Sequence, residues 1–364
     1  MYRKSWRSLN GWWEFDFYDD NFVYSHREKI FSELNQRILV PFTYQSSLSG
    51  IGTNDIHTHV VYRRKVRLTD QERNHRLLLH FGAVDFFAEV WVDDAVVGSH
   101  KGGYTPFYFD ITPYAAEKKE ITVSLIVEDK PGAEQPRGKQ SIGAPFECWY
   151  SAVTGIWQSV WLEFLPDLHI ETFSVQTDAT NGTAFFHLRL SKPVEHCRVD
   201  TEVTYKGNSV LSLTSAARYP ATELNMTIPD VRRWSPEEPN IYEVSFSLMA
   251  GEEVIDRVET YIAFREVGLS SDGLYINQQR YFQKLILMQG FWVDGGYTAP
   301  EAESFERDIQ LAKEMGFNGS SSKPPASSTP PTGLVFWYGA RLLLFTAFPK
   351  KPGRFFVRSS RTLY

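Results

Sequence analysis

The sequence predicts a mainly β chain built from consecutive modules: a β-sandwich or jelly roll over residues 1–163, a seven-strand immunoglobulin-like sandwich over 164–265, and the opening of an α/β unit over 266–319. Three observations predict it. Up to about residue 265 the chain is a succession of short β-branched and aromatic runs separated by turn residues. Aromatic residues make up 15% of it, a content that suits β cores and also the flat faces of ligands. A helical period appears only after Leu285.

In the first module, Arg76–Phe81, Phe87–Val92 and Ile121–Val127 have the alternating character of half-buried strands. Ser49-Gly50, Asp93-Asp94, Gly102-Gly103 and Pro131-Gly132 punctuate them as turns. In the second, Ala184–Leu190, Val199–Val203 and Tyr242–Leu248 read as strands, with turns at Asn181-Gly182, Lys206-Gly207 and Ala250-Gly251. The apolar run Leu285–Met288 then reads as a strand. Residues 300–316 read as a helix, with Phe305, Ile309, Ala312 and Met315 on one face, Pro300 early, Gly316 after the last turn, and Glu306 four residues before Gln310. A further strand is expected to begin at Phe317-Asn318-Gly319.

At 364 residues the chain is long enough for two or three domains. Hydrophobic residues at 42% and charged residues at 23% are those of a chain that buries a core rather than of a coiled coil or a disordered tract. A net charge of −6 gives no electrostatic reason for nucleic acid or an anionic membrane as partner, and neither is expected. No run is long and apolar enough to span a bilayer, and the start lacks the apolar core of a signal peptide, so the expected location is cytoplasmic. Cys148 and Cys197 are too few for a disulfide framework or a four-cysteine zinc site. His57 and His59 share a strand face, but no third ligand follows at metal-binding spacing, so no metal is expected. Nucleotide-binding glycine motifs are missing, and no cofactor is expected.

Several strings, in order, resemble glycoside hydrolase family 2, the family of β-galactosidases, β-glucuronidases and β-mannosidases. They are Ser8-Leu9-Asn10-Gly11-Trp12-Trp13-Glu14-Phe15, Val40-Pro41-Phe42, Val61-Tyr62-Arg63-Arg64, Phe81-Gly82-Ala83-Val84-Asp85, Gly103-Tyr104-Thr105-Pro106-Phe107 and, most specific, Gly155-Ile156-Trp157-Gln158-Ser159-Val160-Trp161-Leu162-Glu163. Trp234-Ser235-Pro236, Phe264-Arg265-Glu266, Gln289-Gly290-Phe291-Trp292 and Asp308–Asn318 extend the resemblance to about residue 319. It implies a sugar-binding jelly roll, an immunoglobulin-like sandwich and the start of a (β/α)8 barrel, in a protein that hydrolyses the O-glycosyl bonds of β-glycosides in carbohydrate metabolism. A carbohydrate, the β-glycoside, is the implied ligand. Met288 and Val293 depart from the family pattern, which commonly has Asp and Pro there.

After Gly319 the composition changes. Eleven of residues 320–332 are Ser, Thr or Pro, and 320–364 hold neither Asp nor Glu although the chain has 44 acidic residues. Such a segment buries no apolar surface. It reads either as a linker with a basic tail or, preferably, as a change of reading frame or splice boundary. A (β/α)8 barrel takes about 250 residues, far more than follow residue 265, so the barrel is expected to be incomplete and no catalytic residue is assigned. The acidic pairs Asp93-Asp94, Glu237-Glu238 and Glu252-Glu253 read as turn or solvated charges. Ser320 and Lys323 match an S-x-x-K string, discounted because the motif belongs at a helix start. The resemblance places Gln289, Trp292, Asp294 and Tyr297 on the loop after the first barrel strand, with Trp149 and Tyr150 on a jelly-roll loop that approaches it. Indole and carboxylate there suit a pyranose, one stacking and one accepting hydroxyls; the alternative is that these rings pack against the sandwiches.

Overall fold

A computed structural model describes residues 1–18, 28, 32–115, 117–130, 132, 135–320 and 343–344. The expected turn residue Pro131, and most of the Ser/Pro-rich and basic segment with its apolar runs, lie outside the described residues.

The first module contains β1 (Trp6–Ser8), β2 (Gly11–Phe17), β3 (Gln36–Val40), β4 (His59–Arg67), β5 (Arg76–Phe81), β6 (Val84–Asp85), β7 (Phe87–Val92), β8 (Ala95–Lys101), β9 (Phe107–Asp110), β10 (Glu120–Glu128), β11 (Gly155–Ile156) and β12 (Val160–Leu165). A four-stranded sheet, β1-β12-β5-β9, faces a six-stranded one, β3-β2-β4-β10-β7-β8, as a jelly-roll sandwich. Alternation decides what goes between them: Leu77, Leu79 and Phe81 of β5 and Val123, Leu125 and Val127 of β10 are buried in one core with Trp13, Phe15, Tyr62 and Leu162. Two strings far apart in sequence meet at its edge. The Asn10 amide donates to Ser159 Oγ and its carbonyl accepts from the Val160 N–H, each at 3.0 Å, while Trp13 Nε1 and Arg64 Nη1 both donate to the Leu9 carbonyl.

The second module has seven strands: β13 (Ile170–Asp178), β14 (Thr183–Leu190), β15 (Cys197–Tyr205), β16 (Asn208–Ala216), β17 (Ala221–Thr227), β18 (Tyr242–Ala250) and β19 (Glu253–Ile262). They form sheets β13-β14-β17 and β16-β15-β18-β19 over a separate core that includes Phe186, Leu188, Val199, Phe246 and Phe264. This is the expected immunoglobulin-like sandwich.

The first eight residues tie the sandwiches together. Tyr2 exchanges two 2.8 Å backbone hydrogen bonds with Glu259 of β19, and β1 pairs with β12. Between them, Arg3 is 6% exposed and donates to Asp256 at 3.0 Å and to Glu163 at 3.1 Å. Burial works against the charge on Arg3, and Asp256 and Glu163 outweigh it.

Beyond the sandwiches the structure differs from expectation. A three-stranded antiparallel meander, β20 (Val267–Ser270), β21 (Gly273–Ile276) and β22 (Gln279–Tyr281), precedes the α/β part. Its strands are short, and apart from Ile276, buried at 5% against Trp234, its side chains are half-buried or exposed, Leu269 at 85%, so no alternation marked them. The strand expected over Leu285–Met288 is only β23 (Leu285–Ile286), because Leu287 turns outward at 65% exposure. The helix starts four residues beyond Pro300, at Ser304–Glu314. Ile309 and Ala312 face Ile286, Met288 and Phe317, but Met315, expected on the same face, is 70% exposed because it lies past the last turn as the cap. An i, i+4 hydrogen bond on the polar face runs from Gln310 Nε2 to Glu314 at 2.9 Å. The strand expected at Gly319 is present: β24 (Gly319–Ser320) pairs parallel with β23, giving a β-α-β unit, and antiparallel with 343–344. Ser320, the first residue of the Ser/Pro-rich segment, is thus a buried strand residue.

Candidate functional site

The loop after β23 is folded against the jelly roll, and its turn is tight. Trp292 and Gly296 exchange backbone hydrogen bonds of 2.8 and 2.9 Å, and Gly295 leaves no space for a Cβ, which would lie 2.0 Å from the Thr298 carbonyl. Thr298 Oγ1 donates to the Trp157 carbonyl at 2.6 Å, and Ser46 Oγ donates to the Asp294 carbonyl. Aromatic rings fill the seam. Tyr150 stacks on Phe291 at 4.2 Å and 16°, Phe291 meets Tyr297 edge-on at 5.5 Å, and Tyr297 lies 5.4 Å from Trp157 and 6.0 Å from Tyr104.

Beneath these rings is a buried polar network centred on Gln140, itself 5% exposed. Its Nε2 donates to Asp85 Oδ2 at 2.8 Å and to the Tyr104 hydroxyl at 2.9 Å, and its Oε1 accepts from the Val153 N–H at 2.7 Å. The Tyr104 hydroxyl donates to the Arg137 carbonyl, and Trp157 Nε1 donates to the Gly103 carbonyl. Gly103 must lack a side chain, since a Cβ would sit 2.3 Å from Asp85 Oδ1. Burial, and after it the charge of Asp129, pushes the Asp85 carboxyl up to about 8, only partly opposed by Gln140 and Arg137. Asp85 is therefore largely neutral at pH 7, and a neutral carboxyl is both donor and acceptor. Asp129 accepts from Thr154 and from Gln135, each at 2.6 Å.

Of the residues singled out from sequence, Tyr150 and Tyr297 come together through Phe291. Trp292 turns away from them and meets Phe305 of the helix edge-on at 4.7 Å. The Asp294 side chain is exposed, Gln289 is half-buried, and Trp149 is 41% exposed on a loop whose ends Gln140 and Tyr150 pair. The histidine pair is engaged elsewhere: His57 stacks on Phe17 at 3.7 Å and His59 lies 3.6 Å from Glu128. Among the described residues no group of three or more His, Cys, Asp and Glu is arranged to hold a metal ion, and no helix is long and apolar enough to cross a membrane. Asp93 serves its turn, accepting from Thr122 N–H and from Lys118. Sequence reasoning missed Asp85, Tyr104, Gln140 and Trp157 as one group. The available signal was an acid inside the apolar run 81–92 and a bare Gly-Gly before Tyr104.

Comparison with known proteins accounts for this layout. The profile of the glycosyl hydrolases family 2 sugar binding domain matches residues 6–166, and that of glycosyl hydrolases family 2 matches residues 168–265. A β-galactosidase of Thermoanaerobacter pseudethanolicus is 28% identical over 269 residues, which is 71% of this chain and 35% of that protein. A putative β-glucuronidase of Formosa agariphila is 25% identical over 281 residues, 74% of this chain and 25% of that protein. The chain thus spans about a third or less of these relatives. Among solved structures, Bifidobacterium dentium β-glucuronidase complexed with coumarin-3-O-glucuronide superposes with a TM-score of 0.73 at 18% identity, over 90% of this chain and 59% of that one. With both of its sandwiches matched in order, the chain belongs to glycosyl hydrolases family 2.

Proposed function

We propose that this chain is the N-terminal part of a β-galactosidase-like glycosidase that hydrolyses the O-glycosyl bonds of β-glycosides in carbohydrate metabolism. In this reading residues 1–163 are its jelly roll, 164–265 its immunoglobulin-like sandwich and 266–319 the first β-α portion of its catalytic barrel. Residues 320–364 come from a changed reading frame or splice boundary, and the catalytic carboxylates lie outside these 364 residues. The observation that carries the reading is the seating of loop 289–298 on the jelly roll. Barrel sites are built at the loops that follow the strands, and here the loop after β23 meets Tyr150, Tyr104 and Trp157. Trp149, Tyr150, Gln289, Trp292, Asp294 and Tyr297 are the proposed sugar-facing residues. A cytoplasmic location belongs to the same proposal, supported by the free thiols of Cys148 and Cys197.

Two measurements test it together. The transcript across the codons for Phe317 to Ser328, read in three frames, is expected to resume a barrel sequence. Turnover of 4-nitrophenyl β-D-galactopyranoside is expected from that longer chain and not from these 364 residues. Turnover by the short chain, or a longer chain that cleaves no β-glycoside, overturns the reading. The family matches end at residue 265, which favours, as a second reading, a non-catalytic carbohydrate-binding or assembly module. A saturable sugar isotherm with the written frame confirmed to Tyr364 would select it.

A further inference from the structure

The outer face of the four-stranded sheet carries a row of rings that the proposed function does not use. Register sets Trp6 and Ser8 of β1 opposite Glu163 and Trp161 of β12, Trp161 opposite His80 of β5, and His80 opposite Tyr108 of β9. The residues alternating with them, Leu162 and Leu79, point into the core. His80 stacks on Trp161 with centroids 4.7 Å apart and planes 4° from parallel, and Tyr108 continues the row at 5.2 Å. The rings therefore stand up from the sheet like plates in a rack.

Next to Trp161 on the edge strand β1 the rack has a gap, because the residue there is the small Ser8. An open cleft occupies it, lined by Trp161, Ser8, Ser159, Trp6, Tyr2 and Glu163. Its polar end is built. Glu163 accepts from Arg3 at 3.1 Å and lies 3.0 Å from His80 Nε2, and a carboxylate has lone pairs to spare beyond those two. Burial raises the Glu163 carboxyl, but His80 and Arg3 outweigh it and keep it below the usual range, so it is ionised at neutral pH. Ser159 Oγ accepts from Asn10, leaving its proton to donate. An indole face with hydroxyl and carboxylate groups along one edge matches a pyranose, apolar on its face and polar around its rim.

We propose that this cleft is a second carbohydrate site, in which a neutral β-pyranoside lies against Trp161 with its hydroxyls on Glu163, Ser8 and Ser159. Neutral sugars are specified because the Arg3 guanidinium is already committed to Asp256, Glu163 and the Ile170 carbonyl, and the Met1 amino group that also lines the cleft is pushed down to about 5 by burial and carries little charge at neutral pH, so a uronate carboxylate would face Glu163 without a partner. The cleft has a cavity volume of only about 30 Å³, so no more than one edge of the ring enters and the affinity is weak, on the order of millimolar. The site shares no lining residue with the Tyr150–Tyr297 seam, and it takes from the proposed function only that the protein meets glycosides.

The test is a titration of the chain, labelled with 15N at its tryptophan indoles, followed by NMR. Methyl β-D-galactopyranoside is expected to shift the Trp6 and Trp161 signals saturably, the two being assigned with Trp6→Phe and Trp161→Phe. Methyl β-D-glucuronide is expected to bind about tenfold more weakly, a difference of about 1.4 kcal/mol. Ser8→Leu, which fills the gap and keeps both indoles, is expected to abolish the shifts. Shifts confined to Trp149 and Trp292 would overturn this site while leaving the proposed function intact. Shifts of Trp161 that survive Ser8→Leu, or equal binding of the glucuronide, would also overturn it. No shift of any indole counts against the cleft alone, because turnover judges the other reading.

Discussion

The junction between the two sandwiches is built on a buried charge, whereas the junction between the jelly roll and the β-α-β unit is built on packed aromatic rings. At the first, Arg3 is buried between Asp256, which is buried with it, and Glu163, which is mostly buried and also lies 3.0 Å from His80. At the second, Tyr150, Phe291, Tyr297, Trp157 and Tyr104 bury area without a charge in contact, and the loss of one ring leaves the rest in place. The contrast teaches that the two interfaces fail differently. A buried ion cluster is worth little against a well-packed apolar substitute but fails abruptly when one partner is removed, because the others stay desolvated. An aromatic seam gives way in increments of area.

The largest expected effect tests the charged junction. Arg3→Met should cost about 3–5 kcal/mol and split denaturant unfolding into two transitions as the sandwiches uncouple. A single transition at an unchanged midpoint would show that backbone pairing at Tyr2 and β1 holds the junction alone. At the aromatic seam, Tyr297→Ala should cost about 2–3 kcal/mol, less than a fully buried ring because Tyr297 is half-buried. Limited proteolysis should then cut within 285–300 while both sandwich cores survive; cleavage within the sandwiches first would contradict the picture of a graded seam.

The third prediction uses the acid beneath the seam. The folded Asp85 carboxyl, at about 8, titrates above its ordinary value of 3.8. The unfolded chain thus loses that proton first as pH rises, so the stabilisation is complete below about 3.8, declines from there and is gone above about 8. Asp85→Asn keeps an acceptor for Gln140 and removes the ionisation, so its stability should stay flatter than that of the native chain between pH 4 and 8, with a difference of roughly 1–3 kcal/mol at the alkaline end. Parallel pH profiles for the two would refute a neutral Asp85. Smallest is Thr298→Val, which removes the 2.6 Å hydrogen bond to the Trp157 carbonyl and should lower the stability by about 1 kcal/mol; no change would mean that this hydrogen bond does not help to seat the loop.

Much of the fold was legible because its signals are local. Ile309 and Ala312 showed their helical face, and the period-two runs of β5, β10 and β14 marked strands that bury alternate side chains. The meander 267–281 was not, since strands of three or four residues with a single buried side chain, Ile276, are too short to show an alternation. The candidate site was legible only in part. Tyr150 and Tyr297 were named from the loop positions that the family resemblance implies, but Asp85 and Gln140, 55 residues apart, form a pair that no spacing along the chain reveals. Met315 failed for the opposite reason: the period extended past the residue where the helix stops.

By itself the sequence determined the order of modules, the β character of the first 265 residues and the position of the helix to within a turn, because alternation, helical period and turn residues are properties of neighbours in the chain. Tertiary structure alone decided that Asn10 would meet Ser159, that Arg3 would be shared between two sandwiches, that Asp85 would lose its charge beneath Gln140, and that Ser8 would leave a gap beside Trp161. Each of these depends on desolvation or on contact between residues brought together only when the sheets close, and those energies do not exist in the extended chain.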